Sequence, residues 1–157
     1  MREEGYDFLQ VTRELLGEFC DDFIAIDSGT IGERWEREHY AMELPGKWDS
    51  SWVAVDGGIP VGFVIASLKD TGVHVHRIAV AHSARGTGVG TRLLGRVRES
   101  AIRQGAKRVT LCVSARNGTA LRFYQRLGFS IEDPASELLN LSISVQALGG
   151  ACAAGPS

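Results

Sequence analysis

The stretch from Val73 to Gln104 constrains the fold of this 157-residue chain more than any other. It begins as an alternating, β-branched run, Val73-His74-Val75-His76-Arg77-Ile78-Ala79-Val80. It passes through a glycine-rich turn, Arg85-Gly86-Thr87-Gly88-Val89-Gly90, and continues with helical periodicity from Val89 to Gln104. A strand that feeds a turn and a helix calls for a crossover, so the next strand-like run, Arg108 to Val113, is predicted parallel to the first. Upstream, Ser51 to Val55 and Pro60 to Leu68 flank Asp56-Gly57-Gly58, which supplies the positive φ angles of a tight hairpin, and Thr71-Gly72 turns the chain once more. An antiparallel meander followed by a parallel strand predicts an α/β domain with a mixed, mainly antiparallel sheet and helices on both faces.

The rest of the chain fits around that unit. Tyr6 to Val11 alternates like a first strand, and Thr12 is placed to cap a helix running through Leu15, Leu16, Phe19 and Phe23. A second helix is expected over Ile31 to Leu44, ended by Pro45-Gly46. Val89, Leu93, Leu94, Val97 and Ala101 form the apolar stripe of the helix after the glycine turn. Asn117 to Leu127 reads as a short helix closed by Gly128, with further strands at Phe129 to Ile131 and Leu138 to Val145. The length suits one domain, residues 1–148, and a small-residue tail, 149–157, that frays.

No apolar run approaches the roughly 18–20 residues that span a bilayer, and no signal-like core follows Met1, so a cytoplasmic protein is expected. Cys20, Cys112 and Cys152 are far apart and odd in number, which argues for free thiols over a disulfide framework or a cysteine metal site. The net charge of -2 hides a partition: residues 1–76 carry 15 acids and 6 Lys or Arg, whereas residues 77–126 carry 11 bases and one acid, Glu99. Bases around a glycine turn suit a polyanionic ligand, and an acidic remainder is either a solvated surface or a lure for a cation. Nucleic acid is not expected as a partner, because no aromatic-interleaved basic strand exists and the total charge is acidic.

Glycines at a helix start let main-chain amides crowd an anion, which the helix dipole also favours. Three cofactor classes share that device. A P-loop requires Lys-Ser or Lys-Thr after the glycines, and neither is present. A dinucleotide unit wants an acid at the end of the next strand, where this chain has Ser114-Ala115-Arg116. The third reading rests on likeness. Arg85-x-x-Gly88-x-Gly90 after a meander resembles the acyl-CoA signature of the GNAT family of N-acetyltransferases. Asn117-x-x-Ala120-x-x-Phe123-Tyr124-x-x-Leu127-Gly128-Phe129 is similar to that family's other core motif, at the family's spacing.

The resemblance implies an acyl-CoA N-acyltransferase fold with acetyl-CoA as co-substrate, no metal and an amine acceptor. It further implies that the backbone of Ile78, Ala79 and Val80 pairs with the pantetheine arm, that main-chain amides of Gly86, Thr87, Gly88, Val89, Gly90 and Thr91 hold the pyrophosphate, that Arg85 belongs to the same cofactor site, and that Asn117 hydrogen-bonds the arm. Simple helix capping is the alternative for Asn117, and both roles can coexist. Tyr124 takes the family's position for the acid that protonates the departing sulfur and so contacts the cofactor; the alternative is an aromatic packed beside Phe123 and Phe129.

An attacking amine, with a pKa of about 10.4 if lysine-like, must lose a proton. His74 and His76 share one face of their strand and titrate in a suitable range. They resemble the histidine pair of the serotonin (arylalkylamine) N-acetyltransferase branch, and His76 stands nine positions before Arg85 as it does there. The alternatives are half-buried histidines without a catalytic role and, with His82, a metal site. Glu33, Glu36, Glu38 and Glu43, near Trp35 and Tyr40, either form a solvated face or draw a cationic amine. The expected activity is acetyl transfer to a small primary amine, with a peptide N-terminus or protein lysine as alternative acceptor. A non-catalytic acyl-CoA sensor is the alternative of another class. The oligomeric state stays open, a homodimer included.

Overall fold

The computed structural model describes residues 2–3, 5–28, 34–132, 134 and 136–147. Eight strands form one sheet: Arg2–Glu3 (β1), Tyr6–Gln10 (β2), Trp52–Asp56 (β3), Ile59–Lys69 (β4), Gly72–Val80 (β5), Arg108–Ser114 (β6), Ser130–Ile131 (β7) and Leu138–Ser144 (β8). Their order is β1-β2-β3-β4-β5-β6-β8-β7. Among the described residues only β5 and β6 pair in parallel, as the crossover demands. The helices are Arg13–Asp27 (α1), Arg37–Ala41 (α2), Lys47–Ser50 (α3), Val89–Arg103 (α4) and Gly118–Leu127 (α5). Thr12 caps α1 through Leu15 N at 3.1 Å, and Gly57 and Gly58 (φ 59° and 85°) make the β3–β4 turn.

Helices cover both faces of the sheet. On one, Val89, Leu93, Leu94, Val97 and Ala101 of α4 are essentially solvent-free against Val64, Ala66, Val73, Val75, Val109 and Leu111, with Tyr124 and Phe129 beside them. Each buried Leu or Val there contributes about 1.5–3 kcal/mol. On the other, Leu16, Cys20 and Phe23 of α1 and Tyr40 of α2 lie on Val53, Val55, Phe63, Ile65 and Ala79. Among the described residues no helix is long and apolar enough to cross a membrane, and Cys20 and Cys112 are free thiols.

The helix expected over Ile31 to Leu44 is shorter: five residues, Arg37–Ala41, with 31–33 outside the described residues. Two local devices fix its length. Glu36 starts it through a reciprocal cap with His39, whose Nδ1 accepts from Glu36 N at 2.8 Å. Lys47 ends it, its buried ammonium donating to the carbonyls of Tyr40 and, at 2.7 Å, Met42. Gly46, at φ 68°, then opens α3, for which no periodicity was long enough to argue. The fraying tail expected at 149–157 lies outside the described residues.

Candidate active site

The parallel pairing of β5 with β6 runs only from Gly72↔Arg108 to Val75↔Leu111, although the strands continue to Val80 and Ser114. They therefore part. A bulge on the other side of β5 accompanies the parting: Ile65 of β4 faces Arg77, while Ala66 faces Val75, leaving His76 as the extra residue. Bulges bend a strand and sharpen its twist, which carries β5 away from β6. Beyond it Ile78, Ala79 and Val80 pair with Val64, Phe63 and Gly62 of β4 on one edge and face an open wedge on the other. The Val80 carbonyl accepts there from Arg85 Nε at 3.2 Å.

The glycine turn stands at the mouth of this wedge. After a 3₁₀ turn, His82–Ala84, the backbone is left-handed at Gly86 (φ 78°) and at Gly88 (φ 85°), the residue that caps α4. Only glycine adopts this repeatedly without penalty. The amides of Val89, Gly90 and Thr91 have no carbonyl within the helix to bond and are free for an anion. A β-carbon on Gly90 would lie 3.3 Å from the Phe123 ring and 3.8 Å from Val80, so the bare glycine lets the first turn of α4 close on the wedge strand. Val89 anchors that turn in the core, and Thr87 ties it to the Ala84 carbonyl through its hydroxyl.

On the β6 side, Asn117 caps α5, its Oδ1 accepting from Ala120 N at 3.1 Å, and the cap leaves its NH₂ group able to donate to a ligand. Tyr124 is 8% exposed, with its ring 5.3 Å from Phe123 and 5.7 Å from Phe129. Burial pushes its phenol up to about 12, so the group carries its proton at neutral pH. An acid is available in that form; a base is not.

His74 and His76 lie on the α1 face, rings 4.9 Å apart. His76 Nε2 is 2.6 Å from the Ser67 hydroxyl, and His74 Nδ1 is 2.8 Å from that of Thr110. Burial lowers both below the usual histidine value, aided for His74 by Lys69; His76, also facing His74, Lys69 and Lys47, is pushed down to about 4. Both rings are therefore neutral at pH 7. A recess of about 180 Å³ bordered by His74, Thr110, Lys69, Asp70, Arg108 and Glu132 meets the His74 end. His82 is exposed in the 3₁₀ turn, and no group of three or more His, Cys, Asp or Glu among the described residues could hold a metal ion.

The acids are not gathered at the wedge. Glu36 is consumed in its cap, and Glu43 accepts from Arg13 Nε and Nη2 (3.0 and 2.9 Å) and from Trp48 Nε1 (3.2 Å). Arg13 starts α1, whose 15 residues extend for about 20 Å to Asp27. Glu38 is exposed beside that N-terminal half, and Glu33 lies outside the described residues. At the wedge end the carboxylate of Asp27 is bound by Arg77. Sequence reasoning missed this pair, along with Ser67 and Thr110. For Ser67 a signal existed, since a tight Asp70-Thr71 turn sets it opposite His74.

The sequence profile of the Acetyltransferase (GNAT) family matches residues 13–129. An uncharacterized N-acetyltransferase of Methanocaldococcus jannaschii is 30% identical over 136 residues, 79% of this chain and 60% of the relative; the chain thus spans less than two thirds of that protein. Among solved structures, the NatC complex bound to Gag peptide and CoA superposes at TM-score 0.76 (18% identity, 88% of this chain, 98% of that one). The PaiA N-acetyltransferase of Thermoplasma acidophilum, in complex with coenzyme A, does so at 0.71 (17% identity, 88% and 98%). Those identities speak to the fold. With a profile match that runs from α1 through the wedge and glycine turn to Phe129, the chain belongs to the acetyltransferase (GNAT) family.

Proposed function

We propose that this chain transfers an acetyl group from acetyl-CoA to a small primary amine by direct attack. The wedge carries this reading: a backbone edge at Ile78–Val80 that β6 leaves unpaired leads into the glycine turn, Gly86 to Thr91, at the start of α4. An extended amide-bearing arm adds to a free strand edge, and a pyrophosphate suits the helix start beyond it. Family membership supports the same donor. Because α4 and α5 occupy the face where the turn lies, the amine enters from the α1 face, past His76. The amine nitrogen bonds to the acetyl carbon, the carbon–sulfur bond breaks, and the Tyr124 hydroxyl gives its proton to sulfur. The proton lost by the amine passes by way of His76 and His74 to the polar recess. Rings of such low basicity pass a proton on without keeping it, which suits a relay and not a standing base.

The test is CoA release across a panel of amines and peptides, run beside calorimetric binding of acetyl-CoA. Tyr124→Phe should lower kcat by about 100-fold with donor affinity unchanged. Turnover confined to peptides or protein lysines would move the acceptor to those classes, and donor binding with no release from any acceptor would make the chain a sensor.

A further inference from the structure

Resting on the acetyl-transfer reading above, we propose that Arg77, clamped between Asp27 and Trp35, is a positioning residue that sets the amine side of the wedge and governs binding of the amine, not of acetyl-CoA. Arg77 directly follows the bulged His76, in the part of β5 that has left β6. Its side chain turns to the α1 face, where Nε lies 2.9 and 3.0 Å from the two carboxylate oxygens of Asp27, the last residue of α1. Its guanidinium carbon is 5.6 Å from the centre of the Trp35 ring. Asp27 and Trp35 stand at opposite ends of the connection between α1 and α2, so one guanidinium holds both ends of that connection on the strand that lines the wedge.

The surroundings stiffen the arrangement. Trp35 meets Tyr40 edge-on at 5.0 Å, Tyr40 meets Phe63 edge-on at 5.8 Å, and Phe63 pairs with Ala79 of the wedge strand. The ion pair is almost dry, with side-chain exposures of 16% for Arg77 and 3% for Asp27. A buried ion pair is a poor way to stabilise a fold, since apolar residues of similar volume often do as well. What it supplies is a fixed geometry, and here that geometry joins the amine-side elements to the residues that flank the thioester. A displacement of about 1 Å near a reacting centre can cost as much as 100-fold in rate.

The experiment compares wild type with Arg77→Met, Arg77→Lys and Asp27→Asn, the last being isosteric in case the first fails to fold. With an amine that wild type accepts, Arg77→Met and Asp27→Asn should lower kcat/KM by about 10- to 100-fold, chiefly through KM for the amine, while acetyl-CoA affinity stays within about twofold. Arg77→Lys should recover part of the loss by restoring the charge. Hydrogen exchange should quicken in residues 24–28 and 35–40 and stay unchanged in residues 89–103. Unaltered KM for the amine, an equal loss of acetyl-CoA affinity, or unchanged exchange in residues 24–28 and 35–40 would each overturn the clamp. Wild-type protein that turns over no amine would refute the acetyl-transfer reading instead, and the exchange comparison would still decide whether Arg77 holds the two ends.

Discussion

Acid should unfold this protein earlier than its carboxylates alone require, and replacing His76 with Gln should remove the part of the excess that His76 contributes. In the fold His76 is pushed down to about 4, by burial first and then by the positive charges of His74 (when protonated), Lys69 and Lys47. In the unfolded chain a histidine titrates near about 6.5. Between those values the unfolded state binds a proton that the native state refuses, so stability falls as the pH drops through this window; above it both states are neutral and the penalty is absent. Taken alone, His76 costs about 2 kcal/mol at pH 5 and about 3 kcal/mol at full effect below pH 4. His74 shifts in the same direction and adds to the loss. Glu43, held low by its hydrogen bonds to Arg13, is common to both proteins and cancels in their difference. The assay is urea unfolding of wild type and His76→Gln at about pH 7.5, 6 and 5, since Gln can still bond Ser67 but cannot titrate. Their stability difference should move by about 2 kcal/mol in favour of the variant on acidification. A difference that stays constant with pH, or a His76 NMR titration centred near 6.5, refutes the reasoning.

Gly88→Ala forces a side chain into the left-handed region at φ 85° and should cost about 1–2 kcal/mol in a thermal melt. The same variant should weaken acetyl-CoA binding by calorimetry, and unaltered affinity would remove the turn from the donor site. Asn117→Ala deletes the cap on Ala120 N and should lower stability by about 1 kcal/mol. If the Asn117 NH₂ also bonds the arm, acetyl-CoA affinity drops with it; if the residue only caps, affinity holds.

The strand, glycine turn and helices from β5 to α5 were legible because their determinants are local. A glycine pair with positive φ, a five-position apolar stripe and a capping Asn are each written within a few residues, and the crossover rule converts them into a parallel pair. The meander was legible for the same reason, since two tight turns set which strands pair and the register beside each turn. What no local pattern announces is the bulge at His76. A slip of one residue decides which histidine meets Ser67 and where β5 leaves β6, and it depends on how the whole sheet twists. The helix over Ile31 to Leu44 failed differently: its dense charge looked like a solvated helical face, but Glu36 and Lys47 use their polar groups to begin and end a helix of one and a half turns.

The first 76 residues show why counting charges misleads. Fifteen acids in the first 76 residues suggest a basin for a cationic amine, yet a carboxylate attracts a substrate only if nothing nearer claims it. Here Glu43 belongs to Arg13, Asp21 to Arg37, Asp27 to Arg77 and Glu36 to a helix cap. The Asp27–Arg77 partners are 50 positions apart in sequence, so no spacing rule reveals them. Near His76 on the α1 face the positive charges of Lys69 and Lys47 add to burial and to His74 in lowering that ring. On an amine entering as proposed above they would act in the same sense: positive neighbours disfavour the ammonium form and favour the neutral one, which is the form that attacks a thioester. On that proposal, the face that seemed built to attract a cation is better suited to discharging one.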